Sequence, residues 1–158
     1  MNNEIVSLYG NFNKDGLALF TNKLICFINK HEKIFSKFVF KDTLNAIRKF
    51  DAADFYLGTS EDNLEVVISH YSRQMKNATE ERICYNVVHL IWDIAGFMTQ
   101  KVCPSCQDEN LKIASSIDKT KIYKTCDNCL ITLLGNIFID RPTEMIPANK
   151  EQVDKVVQ

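Results

Sequence analysis

Two short cysteine pairs constrain this chain more than any other feature. "CPSC" sets Cys103 and Cys106 two residues apart, and "CDNC" repeats the spacing at Cys126 and Cys129, nineteen residues further on. A C-x2-C turn lets two thiolates of one tight loop face the same cation, with backbone N–H groups directed at the sulfurs, and two such turns complete a tetrahedron. The intervening chain can bring them together. "LKIASSI" alternates apolar residues at Leu111, Ile113 and Ile117, "DKT" reads as a turn, and "KIYKTC" reads as a second short strand.

The spacing lies in the range of a zinc site. Four protein thiolates leave no coordination position open, so Zn²⁺ held here is expected to staple a unit too small to bury a core of its own. Two other chemistries stay open at this point. "CPSC" matches the dithiol of redox proteins, but that dithiol needs a helix beginning at its first cysteine, and "CQDENLKI" leads into a strand pattern. A disulfide pairing is the other. The residues Cys103, Pro104 and Cys106 in one knuckle, and Cys126 and Cys129 in the other, resemble a zinc ribbon, and the resemblance covers residues 101–141. Zinc ribbons often carry glycine after the second cysteine of a knuckle, where φ tends to be positive. This chain has Gln107 and Leu130 there, so a less regular knuckle is expected. Lys101 and Lys124 stand near the cysteines in sequence and are expected to offset the net −2 of four thiolates around one divalent ion.

The rest of the chain reads as helical. Apolar residues recur at helical spacing from Asp15 to about Phe40: Leu17, Phe20, Leu24, Phe27 and Ile28. A second helix is expected after Asp42 as N-cap, with Leu44, Ile47 and Phe55 inward. "LGTSED" breaks the pattern, and Thr59 with Asp62 has the spacing of a capping box. The stripe Leu64, Val67, Ile68, Tyr71 and Met75 follows. Thr79 opens a last helix so apolar around its circumference that a central position is expected. "LITLLGNIFI", Leu130 to Ile139, is apolar on both faces and reads as one strand buried against the helices. Pro142 and Pro147 flank the exit into a polar tail, frayed or briefly helical. The expected fold is α+β: a helical bundle over 1–100, a small antiparallel β zinc ribbon packed on it over 101–141, and a polar tail over 142–158.

With 46% hydrophobic and 25% charged residues the chain is globular, and its net charge of −1 gives no global attraction to nucleic acid or membrane. No apolar stretch reaches the roughly 18 residues of a membrane span. "MNNEIVSLYG" lacks the basic-then-apolar pattern of a secretory signal. The expected location is cytoplasmic, where thiols stay reduced.

Other chemistry-bearing residues have plain readings. Cys26 and Cys84 fall in apolar helical runs as core thiols. His31 opens "HEKIF", which is not H-E-x-x-H, and is expected to be solvated near a helix end. His89 and Asp93, four residues apart, can pair on a helix, and His89 reads as structural. "KTKIYK" is basic with one tyrosine, as a nucleic-acid contact is, yet residues 103–141 hold five acids and five bases. No nucleophile–base set and no phosphate loop is present, so a non-catalytic protein is expected.

The charge is unevenly placed. Residues 1–50 carry a net +4, whereas residues 51–70 carry Asp51, Asp54, Glu61, Asp62 and Glu65 with no Lys or Arg, a net −5. Phe50, Phe55 and Tyr56 are interleaved with these acids. Acids with aromatics suit a surface for a basic protein partner, so Asp51, Asp54, Phe55, Tyr56, Glu61, Asp62 and Glu65 are the candidate partner-binding residues. Size, this acidic segment and the lack of a catalytic set together resemble the immunity proteins of bacterial contact-dependent growth inhibition and related polymorphic toxin systems. That resemblance implies direct neutralisation of a cognate toxin, commonly a basic nuclease. The alternative is a nucleic-acid-binding or transcription-associated regulator, a class in which zinc ribbons are frequent.

Overall fold

The computed structural model describes residues 1–58 and 61–157, the side chains of 13–15 and 61–63 excepted. Helices fill the first part: α1 (Asn2–Gly10), α2 (Phe12–Lys30), α3 (Glu32–Phe38), α4 (Lys41–Arg48), a 3-10 turn (Ala52–Asp54), α5 (Glu61–Met75) and α6 (Glu80–Ala95). Six strands and a last helix follow: β1 (Phe97–Val102), β2 (Asn110–Ser115), β3 (Ile122–Thr125), β4 (Thr132–Leu134), β5 (Ile137–Ile139), β6 (Ile146–Pro147) and α7 (Lys150–Val157). The fold is α+β. Among the described residues no helix is long and apolar enough to cross a membrane.

The helical core forms around α6. Its Ile83, Cys84, Val87, Val88, Leu90, Ile91, Ile94 and Ala95 are all buried, because apolar residues occupy two adjacent faces of the helix and neighbours cover both. Phe20, Leu24, Phe27 and Ile28 of α2, Leu44 and Ile47 of α4, and Leu64, Ile68 and Met75 of α5 pack into the same core. Thr79 caps α6, its hydroxyl accepting from the Arg82 N–H at 3.3 Å.

The helical pattern is cut more finely than periodicity suggests. The run from Asp15 to Phe40 is two helices that part at His31, and α2 is broken at Gly16, whose φ of 69° and ψ of 161° are not helical. The segment before it forms α1, held by Ile5 and Tyr9 in the core. α4 begins at Lys41, so Asp42 lies in its first turn and Phe40 takes the cap position. Phe55 lies beyond that helix, stacked on Phe50 with ring centroids 4.2 Å apart. The capping pair Thr59 and Asp62 lies outside the described residues.

His31 is half-buried, not solvated. Its Nε2 lies 2.9 Å from Glu4 on α1, and Lys30 reaches the other Glu4 oxygen at 2.8 Å. The ring also rests on Phe27, with centroids 4.6 Å apart. This pairing across 27 positions joins α1 to the end of α2, and no local sequence rule anticipates it. Cys84 is buried, which pushes its thiol up to about 12. Cys26 is exposed, because it falls on the outer side of α2.

The sheet is antiparallel in the order β1-β2-β3-β4-β5, with β6 joining β2 beyond the end of β1. β1 follows α6 with only Gly96 between. A Cβ at Gly96 would come within 2.9 Å of the Trp92 carbonyl, so glycine permits the abrupt change from helix to strand. "LITLLGNIFI" is not one strand. Gly135, at φ 63°, and Asn136 turn it into the β4–β5 hairpin, as glycine in the first position of a two-residue turn does. Nor is it buried on both faces: Leu130, Leu134, Ile137 and Phe138 are exposed.

The tail is a docked helix. Asn149 and Gln152 cap α7 reciprocally, with Gln152 N–H donating to Asn149 Oδ1 at 2.9 Å and Asn149 N–H to Gln152 Oε1 at 3.2 Å. The Gln152 amide also donates to the Ser115 hydroxyl at 2.9 Å. Val153 completes a small core with Ile113 and Ala148.

Candidate metal centre

Cys103 follows β1 and Cys126 follows β3, so each knuckle is carried at a strand end. Register fixes their approach, because Lys112 on β2 pairs with Phe97–Val102 on one side, through Met98, and with Thr125 on the other. The first knuckle is closed by the Cys103 N–H donating to Glu109 O at 2.8 Å and the Gln107 N–H to Cys103 O at 3.1 Å; the second by the Cys126 N–H to Ile131 O at 3.1 Å. Glu109 ties the knuckles together by accepting the Asn128 N–H at 3.0 Å.

The four sulfurs lie within 4.8 Å of one another. Cys103 and Cys129 Sγ are 3.5 Å apart, and Cys106 and Cys126 Sγ are 3.7 Å apart. A regular tetrahedron with metal–sulfur bonds of about 2.3 Å has corners about 3.8 Å apart. The donor set and spacing therefore fit a thiolate-bound metal ion such as zinc. The closest sulfurs belong to different knuckles and lie well beyond a disulfide bond of about 2.05 Å. No helix begins at Cys103, which follows a strand and enters a turn, so the dipole that would activate a redox dithiol is missing.

Surroundings act on the thiols in opposite directions. Backbone N–H groups of Asn128 and Cys129 face the Cys126 sulfur, and that of Ile131 faces Cys129. Burial pushes the Cys126 thiol up to about 12, while the Ile131 N–H draws Cys129 down to about 7. A cation held by these four cysteines would supply the positive charge that ionises the buried member. Cys103, Cys126, Leu111 and Leu133 are buried together and half-buried Ile131 packs on them, giving the site a dry apolar shell.

The knuckles are regular despite lacking glycine. Gln107 and Leu130 adopt φ of 58° and 61°, the left-handed values that glycine ordinarily supplies at these places. Both side chains are exposed, so no packed neighbour adds to the local Cβ–carbonyl strain of that conformation.

The cations beside the centre are Lys112 and Arg141. Lys112 Nζ lies 2.7 Å from Asp127 and 3.5 Å from Asp93 of α6. Arg141 donates to the Cys126 carbonyl at 3.2 Å and pairs with Asp127 at 3.2 Å. The side chains of Lys101 and Lys124 make no ion pair or hydrogen bond to the knuckles. His89 is exposed, and the ion pair of Asp93 is with Lys112. A cleft of about 390 Å³ opens between this ion-pair chain and the helical body, lined by Trp92, Asp93, Lys112, Asp127, Arg141 and Glu144.

The acidic segment lies apart from the cysteines. Asp51, Asp54 and Glu65 are exposed. Asp51 also accepts the Ala53 N–H at 2.9 Å, capping the 3-10 turn. Phe55 is 8% exposed, which leaves it in the core and not available as a surface anchor. Tyr56 is half-buried, its hydroxyl donating to Asp154 of α7 at 2.7 Å. Lys150 of α7 donates to Ala53 O at 2.7 Å and lies 5.7 Å from the Tyr56 ring centroid, so a cation from the far end of the chain is seated in the segment. The side chains of Glu61 and Asp62 lie outside the described residues.

No protein-family model matches the chain, and neither the curated proteins nor the solved structures include a match to it.

Proposed function

We propose that this is a non-catalytic binding protein whose sheet is held by one structural Zn²⁺ on Cys103, Cys106, Cys126 and Cys129. The observation that carries the reading is the closed donor set. Four sulfurs within 4.8 Å fill a tetrahedron, so no position remains for water or substrate, and the ion's task is to hold the knuckles together. Function then passes to the surface.

The partner in this reading is a basic protein domain, the toxin of a bacterial growth-inhibition system, which the chain neutralises as an immunity protein. Exposed Asp51 and Asp54 at the 3-10 turn and exposed Glu65 on α5 support it, since surface carboxylates speed encounter with a basic surface. Tyr56, half-buried beside them, offers an aromatic edge. The test is affinity capture with the full zinc-loaded chain, with and without nuclease treatment, beside an Asp54→Lys/Glu65→Lys variant. The expected result is a basic protein retained after nuclease treatment, lost with the variant, and toxic to cells unless the unaltered chain is co-expressed. Retention of nucleic acid in its place, abolished by nuclease, would favour the regulator reading.

A further inference from the structure

Among the described residues, the β4–β5 hairpin leaves one edge of the sheet without a neighbouring strand. In the strand order β5 stands last and pairs only with β4. Its apolar side chains reach solvent: Ile137 is 71% and Phe138 60% exposed, and Leu134, across the ladder from Ile137, is 37% exposed. The stretch 130–139 contains no charged residue and no proline. Those are the residues that ordinarily blunt an edge against pairing. The turn also fixes which backbone groups face outward. Leu134 and Ile137 flank the two-residue turn, so they form the hydrogen-bonded pair that closes it. Alternation then directs the Phe138 N–H and C=O away from β4, to the open edge.

We propose that a second copy of this chain closes that edge, by antiparallel pairing of β5 with β5 about a two-fold axis at Phe138. In this register Phe138 exchanges both backbone hydrogen bonds with the partner's Phe138, and Ile137 stands opposite the partner's Ile139. Such a contact is isologous, each copy presenting the same patch. The charges flanking the strand allow it. Asp140 stands opposite the partner's Asn136 and Arg141 opposite the partner's Gly135, so no like charges meet across the ladder. A charged partner, by contrast, finds nothing on this strand to complement. The contact is small, which places the dimer below the standard size of stable interfaces, among the weak and reversible ones. The proposal is independent of the acidic segment, which lies on other elements.

Sedimentation velocity on the full, metal-loaded chain across a wide concentration range tests it. The mass should rise from 18.2 kDa toward twice that value. Phe138→Lys and Ile137→Lys should each weaken the dimer by more than about tenfold, since each sets a lysine against an apolar or lysine neighbour across the axis. Both side chains are exposed, so melting temperature and metal content should stay unchanged. Hydrogen exchange supplies the local readout: the Phe138 amide should slow as concentration rises, while the Ile139 amide, bonded within the hairpin, should not respond. A chain that remains monomeric throughout would overturn the proposal, even if its hairpin variants lose some other partner. So would a dimer that keeps its affinity in both lysine variants.

Discussion

The Lys112 ammonium lies 2.7 Å from the carboxylate of Asp127, which sits between the third and fourth cysteines. The same ammonium is 3.5 Å from Asp93 on α6. One β2 side chain thus joins the second knuckle to the helical body. Burial works against ionisation of Asp127, yet Lys112 and Arg141 hold its carboxyl below the ordinary range. Lys112→Met removes the link and leaves two acids without their shared cation. The pairs are partly exposed, so the cost should be about 1 kcal/mol. Denaturant unfolding should show that loss, and a chelator should strip the metal several-fold faster than from the unaltered chain.

Gln107 and Leu130 hold φ of 58° and 61°. A left-handed residue other than glycine costs roughly 1–2 kcal/mol, partly offset by the entropy that glycine adds to the unfolded chain. Gln107→Gly and Leu130→Gly should each stabilise the metal-bound protein by up to about 1 kcal/mol. Thermal unfolding of the two variants reads this directly. Gln107→Val should do the reverse, because a β-branched side chain tolerates positive φ least.

The part of this account legible in the sequence is the part set by local chemistry. Cysteine spacing located the centre, and the stripe Leu64 to Met75 and the all-round apolar pattern from Ile83 to Ile94 located α5 and the central α6, although Met98, which continues that spacing, lies on β1. What escaped depends on contacts distant in sequence. α1 is fixed by Glu4 meeting Lys30 and His31, and α7 by Gln152 reaching Ser115. The apolar run Leu130 to Ile139 suggested burial on both sides. One glycine with positive φ folds it into a hairpin at the sheet edge. The cations near Asp127 are those brought by strand register and by the chain after β5, not the lysines adjacent in sequence. Phe55, read both as inward-facing and as a surface anchor, is buried and stacks on Phe50.

Glu4 gives the helical body a pH-dependent element. Its hydrogen bonds to Lys30 and then His31 hold the carboxyl below its ordinary 4.5. A depressed carboxyl stabilises fully above its unfolded value, and the contribution is lost as pH falls through the lower folded value. The melting-temperature difference between the unaltered chain and Glu4→Gln should therefore be present above pH 4.5 and shrink below it. Glu4 is 37% exposed, so the full effect should stay under about 1 kcal/mol. A difference that persists in acid would mean that the substitution acts through packing.

Ile91 is fully buried in the most apolar helix. Ile91→Ala should cost about 2–5 kcal/mol, the lost transfer energy plus the cavity left behind. Chemical denaturation measures it, and a cost below about 0.5 kcal/mol would mean that α6 is peripheral to the core.

In the proposed reading, Cys103, Cys106, Cys126 and Cys129 bind one zinc ion that holds the sheet together. Metal analysis of the freshly reduced full chain, paired with Cys126→Ser, tests it most directly. The expected result is about one Zn²⁺ per chain in the former and loss of tight binding in the latter. Freshly reduced protein without metal, protein loaded with iron, or Cys126→Ser that retains zinc with undiminished affinity would contradict it.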